Sequence, residues 1–307
     1  MPFVVKKYPV IVGEKIQHFL VNKADLSTSL SQKLLAKNRV FDDQGQTLKN
    51  GQKTSGEFIN VAVFEGHTRG LKPIFETLDF AIFDKPSGIM VHPTRKTTEY
   101  CLLDEVYYHF GSEASLAHRI DAQTSGLVLV GKDKKSSSIL KTMFENRAYD
   151  KEYLAIVKGQ MTTDTIIDKP ILKANNSTKN PCIIGSISIK VTCDNKEGKP
   201  SKTKIQVLKF NQENNTTLVK AIPVTGRQHQ IRVHLDSIGH SILGDAIYGV
   251  DESVANECLS KDLSPQQRLK LTGATRLMLH ANKLSFRYKG TDYSIVSEQK
   301  IPGLSQE

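Results

Sequence analysis

Apolar residues recur along this chain with two different periods, and the change of period separates its parts. Between residues 13 and 66, Ile16, Phe19 and Leu20 follow helical spacing. Leu30, Leu34 and Leu35 do so again behind Ser27-Thr28-Ser29, a stretch able to cap a helix. Two short helices are therefore predicted. Alternation around Val40-Phe41 and Phe58-Ile59-Asn60-Val61 predicts short strands, joined by turns at Asp43-Gln44-Gly45 and Asn50-Gly51. Past a connector at 67–75, a larger part begins with the strand-like run 80–83. In it, Leu103, Val106, Tyr107 and Phe110, and again Ile139, Leu140, Met143 and Phe144, keep helical spacing. Segments 127–130, 153–157, 187–191, 205–210 and 218–222 are short and β-branched, which favours strands. Strands outnumber helices without alternating with them. The expected class is α+β: a domain over 76–307 built on a mixed, mostly antiparallel sheet, preceded by a small α+β domain over 1–66. The polar stretch 251–273 predicts an inserted helix or loop.

Charge adds a partner class. The 307 residues carry 42 Lys and Arg against 32 Asp and Glu, a formal net charge of +10. Nine basic and six acidic residues fall in 1–66, and 33 and 26 fall in the remainder, so the excess is spread over both parts. A folded basic surface suits a polyanionic partner better than a basic tail would. Lys33 and Lys37 lie four apart on the second predicted helix and share a face away from its leucines, with Arg39 just beyond. No apolar run approaches the roughly 18 residues of a membrane span, and the first residues hold no apolar signal core, which predicts a cytoplasmic protein with no membrane partner. Cys101, Cys182, Cys193 and Cys258 are far apart and form no C-x-x-C pair, so four reduced thiols are expected and no structural zinc. No phosphate-binding glycine loop occurs, so neither ATP nor NAD is implied.

Five stretches hold the candidate chemistry. Asp84-Lys85-Pro86-Ser87-Gly88-Ile89-Met90-Val91-His92-Pro93 is a strand end breaking into a turn. Ala117-His118-Arg119-Ile120-Asp121-Ala122-Gln123-Thr124-Ser125-Gly126 sets an acid in a loop beside an arginine. A helix then runs into a strand in which Lys151 and Tyr153 share one side of the pleat. Thr225-Gly226-Arg227-Gln228-His229-Gln230-Ile231-Arg232-Val233-His234 continues through Gly239-His240-Ser241-Ile242-Leu243-Gly244-Asp245 to Tyr248-Gly249. Arg276-Leu277-Met278-Leu279-His280-Ala281 is the fifth.

In this order the stretches resemble the signatures of the RluA family of RNA pseudouridine synthases, over about residues 74–302. Ile120, Ser241 and Arg287-Tyr288-Lys289 depart from the family pattern, and none of these removes a charged group from the inferred site. The resemblance implies that a uracil is detached from ribose C1′, turned, and reattached through C5, with no metal or nucleotide cofactor. It makes Asp121 the catalytic aspartate, acting as nucleophile or as the base that starts elimination. By the same analogy Arg232 keeps that carboxylate charged, and Tyr153 packs against the target base with a phenol placed to help remove the C5 proton. Arg119 would contact RNA near the flipped base, and Arg227, Gln228 and His229 its phosphates or base edges. Two helices followed by strands, with Lys33, Lys37 and Arg39 exposed, resemble an S4-type RNA-binding domain, which often precedes this catalytic domain. The resemblance implies a monomer acting on structured RNA, with large-subunit ribosomal RNA favoured and transfer RNA second.

Two other classes compete. A metal-dependent phosphoesterase could use His229, His234, His240 and Asp245, but two histidines five residues apart on a strand would face opposite ways. A non-catalytic RNA-binding protein would show the same basic surface; the joint presence of Asp121, Tyr153 and Arg232 argues against it.

Overall fold

Two amphipathic helices on a three-stranded sheet make up the start of the chain. Residues 3–93, 100–173, 190–261 and 263–299 are described in a computed structural model, which divides into two compact units, 1–71 with 92–113 and 72–91 with 114–307. In the first unit, β1 (Phe3–Pro9) and β2 (Val40–Phe41) flank β3 (Phe58–Phe64), both antiparallel to it. Helices α1 (Ile16–Asn22) and α2 (Thr28–Ala36) bury Ile16, Phe19, Leu20, Leu34 and Leu35 against Val40, Ile59 and Val61. The Ser27 side chain accepts the Leu30 N–H at 3.3 Å and so caps α2 as its position suggests. Lys33 and Lys37 are exposed while Leu34 and Leu35 are buried, as the spacing requires. Strand β1 is not predicted by pattern, because Val4 and Val5 are both exposed and nothing alternates along it. Helix α3 (Leu102–Phe110) belongs to this unit; its buried Glu105 accepts the Arg69 N–H at 2.6 Å and the Tyr100 hydroxyl.

The second unit is built on a ten-stranded sheet. Its strands are β4 (Pro73–Glu76), β5 (Phe80–Lys85), β6 (Ser115–Leu116), β7 (Ser125–Gly131), β8 (Tyr149–Lys158), β9 (Thr165–Asp168), β12 (Lys202–Asn211), β13 (Thr216–Pro223), β14 (Leu279–Tyr288) and β15 (Thr291–Val296). The order is β4-β5-β7-β14-β8-β13-β12-β9, with β6 paired to β7 and β15 to β14. Strands β10 (Ile171–Lys173) and β11 (Val191–Cys193) form a separate ribbon. Residues 67–75 are thus no free connector: the backbone of Arg69 is bonded to Glu105, and 73–75 lie in β4.

Among the described pairings only β7 and β14 run parallel, placing His280 beside Ser125 and Ala281 beside Gly126. Gly126 has φ +110°, and a Cβ there would lie 2.3 Å from the Ala281 carbonyl oxygen, so no larger residue fits this crossing. Helix α4 (Lys134–Glu145) buries Leu140 and Met143 with Phe80, Ile82, Leu127 and Leu129. Helix α5 (Gln230–Asp236) adds Ile231 and Leu235 to Ala155, Val157, Val219 and Ala221.

One sequence expectation changes and two are refined. The stretch 229–234, taken as a strand, is the start of α5. Ile231 and Val233 alternate as a strand would, but every residue from Gln230 to Leu235 is buried, which removes the signal that separates the two. The polar stretch 251–273 holds two helices, α6 (Glu252–Ser260) and α7 (Pro265–Thr272), the latter begun by a Ser264–Gln267 capping box and Pro265. Of the strand expected at 187–191, residues 187–189 lie outside the described residues, as does Cys182; Val191 opens β11. Cys101, Cys193 and Cys258 are free thiols.

Phe80 is fully buried with its ring 5.0–5.4 Å from those of Phe286, Tyr288 and Tyr293. Phe80→Ala is expected to cost about 3–5 kcal/mol in chemical denaturation followed by circular dichroism, whereas Leu78→Ala, at 94% exposure, should stay within about 0.5 kcal/mol.

Candidate active site

Asp121 sits in the tight turn between β6 and β7, where its carbonyl accepts the Thr124 N–H at 3.1 Å. Its side chain is 32% exposed and faces Arg232 on α5, with Oδ2 3.2 Å from Nη1. Arg232 is 5% exposed, and its other edge makes a two-pronged pair with Asp245: Nε to Oδ2 and Nη2 to Oδ1, both 2.7 Å. Such a fork fixes the plane of the guanidinium as well as its distance. Asp245, with no exposed side-chain area, also accepts the N–H groups of Ile247 and Tyr248 at 2.9 and 3.2 Å. Burial alone would lower the Arg232 pKa; the hydrogen bonds and charge of Asp245, with Asp121 behind, more than offset it and raise it. The buried partner locks the arginine and the accessible carboxylate faces the solvent side.

Tyr248 lies beneath the guanidinium, its ring 5.2 Å away, and its hydroxyl is 3.2 Å from His229 Nδ1 while accepting the Val191 N–H at 3.0 Å. His229 stands at the N-cap of α5 with φ +52°. Its ring is nearly buried and its Nε2 is 3.9 Å from Asp121 Oδ2. Burial first, and then the Arg232 charge, pull its pKa down to about 4, against the opposing pull of Asp121 and Asp245.

The Asp121 turn is clamped from behind by the first motif. Lys85 is fully buried, and its Nζ donates to the carbonyls of Pro86, Ile89 and Ala122 at 2.8, 2.8 and 3.0 Å. The Gly88 N–H bonds the same Ala122 oxygen at 2.9 Å, and the Ser87 hydroxyl donates to the Gln123 carbonyl at 2.5 Å. Below the turn, Ser125 Oγ lies 2.9 Å from His280 Nδ1 and accepts from Arg276 at 3.0 Å.

These elements enclose an open cleft of about 150 Å³ whose lining includes Arg119, Asp121, Lys151, Tyr153, Arg227 and Arg232. The Tyr153 hydroxyl has its pKa raised, by burial first and then by the Asp121 and Tyr149 charges, so it is a phenol at neutral pH. Three residues that the family resemblance leaves without a role hold the cleft's side chains in place. Gln230 accepts the Arg227 N–H and the Thr225 hydroxyl while its amide donates to Lys202 and Thr203, which sets the loop before α5. Asp245 and Tyr248 are the others; an acid inside the arginine-rich fourth stretch, thirteen residues after Arg232, was the available signal.

Asp121, Tyr153, Arg232, Arg119, Arg227 and His229 therefore come together. Gln228 is exposed on the rim loop, and His229 turns inward rather than toward solvent. Lys33, Lys37 and Arg39 belong to the other unit. The imagined metal ligands have separate partners: His234 bonds Thr203 and the Lys169 carbonyl, His240 bonds the Lys158 carbonyl, and Asp245 is taken by Arg232.

His229 and His280 are both held near pKa 4, chiefly by burial, against about 6.5 in an unfolded chain. The unfolded state therefore binds more protons between pH 4 and 6.5, and stability should rise with pH across that window. Urea unfolding at stepped pH checks this, and His229→Gln should flatten the slope by up to about 1.4 kcal/mol per pH unit.

Residues 79–237 match the family of RNA pseudouridylate synthases. A protein of Helicobacter pylori strain J99 described as an uncharacterized RNA pseudouridine synthase is 37% identical over 297 residues, which is 97% of this chain and 96% of the relative. The ribosomal large subunit pseudouridine synthase C of Haemophilus ducreyi is 30% identical over 304 residues, 91% of this chain and 86% of its own. Human RNA pseudouridylate synthase domain containing 1 shares the fold, with a TM-score of 0.58 at 22% identity over 77% of this chain and 86% of that one. With an aspartate-arginine cleft on a mixed sheet and matches over nearly its whole length, the chain belongs to the RNA pseudouridine synthase family.

Proposed function

We propose that this protein is an RluA-type isomerase that converts specific uridines to pseudouridine in large-subunit ribosomal RNA. The observation that carries the reading is the partly exposed Asp121 carboxylate, 3.2 Å from an arginine that a buried acid holds in place. A target uridine leaves its stack and enters the cleft, where Asp121 acts at the sugar or base, as nucleophile or as the base that starts elimination. Arg232 orients that carboxylate. Tyr153 offers an aromatic face to the uracil, and Arg119, Arg227 and Gln228 contact the RNA strand, with His229 closing the wall beside Asp121. Residues 1–66 serve as an S4-like RNA clamp through Lys33, Lys37 and Arg39. The ribosomal substrate is supported by the relative named for the large subunit, whose similarity extends over 91% of this chain and so beyond the catalytic unit.

Pseudouridine mapping of total RNA from cells with and without the gene tests the reading. One or a few sites in large-subunit ribosomal RNA should vanish on deletion and return with wild type but not with Asp121→Asn. Loss at transfer RNA sites instead would transfer the substrate; persistence of every site would favour a protein that only binds RNA. Purified Asp121→Asn should lose at least about 1,000-fold in turnover with RNA affinity within a few fold, since the change removes a reactive charge and little volume.

Replacing Lys33, Lys37 and Arg39 together by Gln should weaken RNA binding and lower the slope of log affinity against log salt by about 0.7–0.9 per lost phosphate contact. An unchanged slope in filter binding would remove the clamp.

A further inference from the structure

Pseudouridine differs from uridine by the position of one proton as well as one bond: C5 has lost a hydrogen and N1 has gained one. Some group in the cleft must accept the C5 proton. Burial raises the Tyr153 pKa, so its hydroxyl is a neutral phenol and a poor base. Lys151, two residues earlier on the same face of β8, also lines the cleft.

The hydrogen bonds around Lys151 bear on its charge. His118 Nε2 accepts the Leu129 backbone N–H at 3.1 Å, so that nitrogen carries no proton. A neutral imidazole must then hold its hydrogen on Nδ1, and Nδ1 lies 3.0 Å from Lys151 Nζ. An N–H pointing at an amine nitrogen makes a hydrogen bond only if that nitrogen has a lone pair. An ammonium, with three donors and no acceptor, would meet donor with donor. From this geometry, and resting on the cleft being the isomerisation site, we infer that Lys151 is a neutral amine held by His118, and that it is the base that removes the C5 proton.

The step balances. Once the C1′–C5 bond has formed, C5 is tetrahedral and still carries hydrogen, with a double bond between N1 and C6. The Lys151 lone pair takes the C5 proton, the C5–H electrons form the C5–C6 double bond, and the N1–C6 π pair moves to N1. N1 takes a proton from the new ammonium, which returns Lys151 to the amine. While charged, that ammonium lies over two aromatic faces, 4.6 Å from the Phe144 ring centre and 5.1 Å from that of Tyr149.

The titratable and charged groups about Lys151 are consistent with this. His118 faces it from the loop before β7, Tyr149 and Tyr153 from its own strand, and Asp121, Arg119, Arg227 and Arg232 line the same cleft. Burial draws the Lys151 pKa down to about 7, and burial is also the largest cause that draws that of His118 well below its usual value. A base that must be unprotonated predicts that the chemical step quickens as pH rises through about 7.

The test is single-turnover tritium release from a large-subunit ribosomal RNA transcript, and from a transfer RNA transcript, labelled at uridine C5. Wild type should show the rising limb. Lys151→Met, which retains the contact with the rings, should be about 100- to 10,000-fold slower and lack the limb, with RNA affinity within threefold. Its C5 deuterium isotope effect should exceed that of wild type, and added methylamine should restore part of the activity of Lys151→Ala. Turnover of Lys151→Met within threefold of wild type, or a defect fully accounted for by weaker RNA binding, would overturn the assignment while leaving the isomerase reading intact. Tritium release by wild type from neither RNA would bring down that reading and this inference with it. Should the variants not fold, competitive acetylation of the wild-type protein reads the same property: Lys151 labelling with a midpoint near 7 supports the neutral amine, and one near 10 overturns it.

Discussion

Arg232 is a charge taken out of water and divided between two carboxylates of very different exposure. Asp245, with no accessible side-chain area, holds the guanidinium in a two-pronged pair and is itself satisfied by two backbone N–H groups of the loop that follows. A buried ion is tolerated only when its geometry is fully met, and here every prong is at 2.7 Å. The remaining Nη1 then points at Asp121, which alone of the three stays open to solvent. Placing the accessible carboxylate thus depends on a residue it never touches. Tyr248 under the guanidinium and His229 beside it extend the arrangement, so that a single helix start, a single turn and the loop after α5 converge on one carboxylate.

Lys85 and Lys151 show how burial and hydrogen bonding decide charge together. Burial pulls both toward a pKa of about 7. Lys85 meets three carbonyl oxygens, each needing a hydrogen, and so keeps its proton as the pin that holds the Asp121 turn. Lys151 meets the N–H of an imidazole and so gives its proton up. Desolvation of similar size leads to opposite charge states because one site offers only acceptors and the other a donor. A clamp needs a cation that stays charged; a base needs one that does not.

The short helices of the first unit, the helices α3 and α4 and most of the long strands were readable as patterns, since each has one buried face and repeats its apolar residues at the matching period. The signal failed where burial is complete or absent. Helix α5 is buried along six successive positions, so its β-branched residues looked like a strand, and β1 exposes its valines and looked like nothing. Asp121, Arg232 and Tyr153 were legible because they stand inside long ordered motifs. Gln230, Asp245, Tyr248 and His118 stand in or beside the same motifs, yet their roles are pairings with side chains or backbone groups on other elements, up to 57 residues away for Tyr248 and Val191, and no local pattern encodes them.

The sequence by itself therefore determined most of the elements, the basic character and the identity of the residues that could react, because periodicity, charge and motif order are properties of neighbours along the chain. Tertiary structure decided which acid is open and which is locked, which lysine is charged, and where the glycine of the second motif had to be. The parallel pairing of β7 with β14 brings Ala281 against Gly126 and leaves no room for a Cβ. Exposure, tautomer and close approach exist only once distant segments meet, and the physical reason is that desolvation and hydrogen-bond pairing act through space.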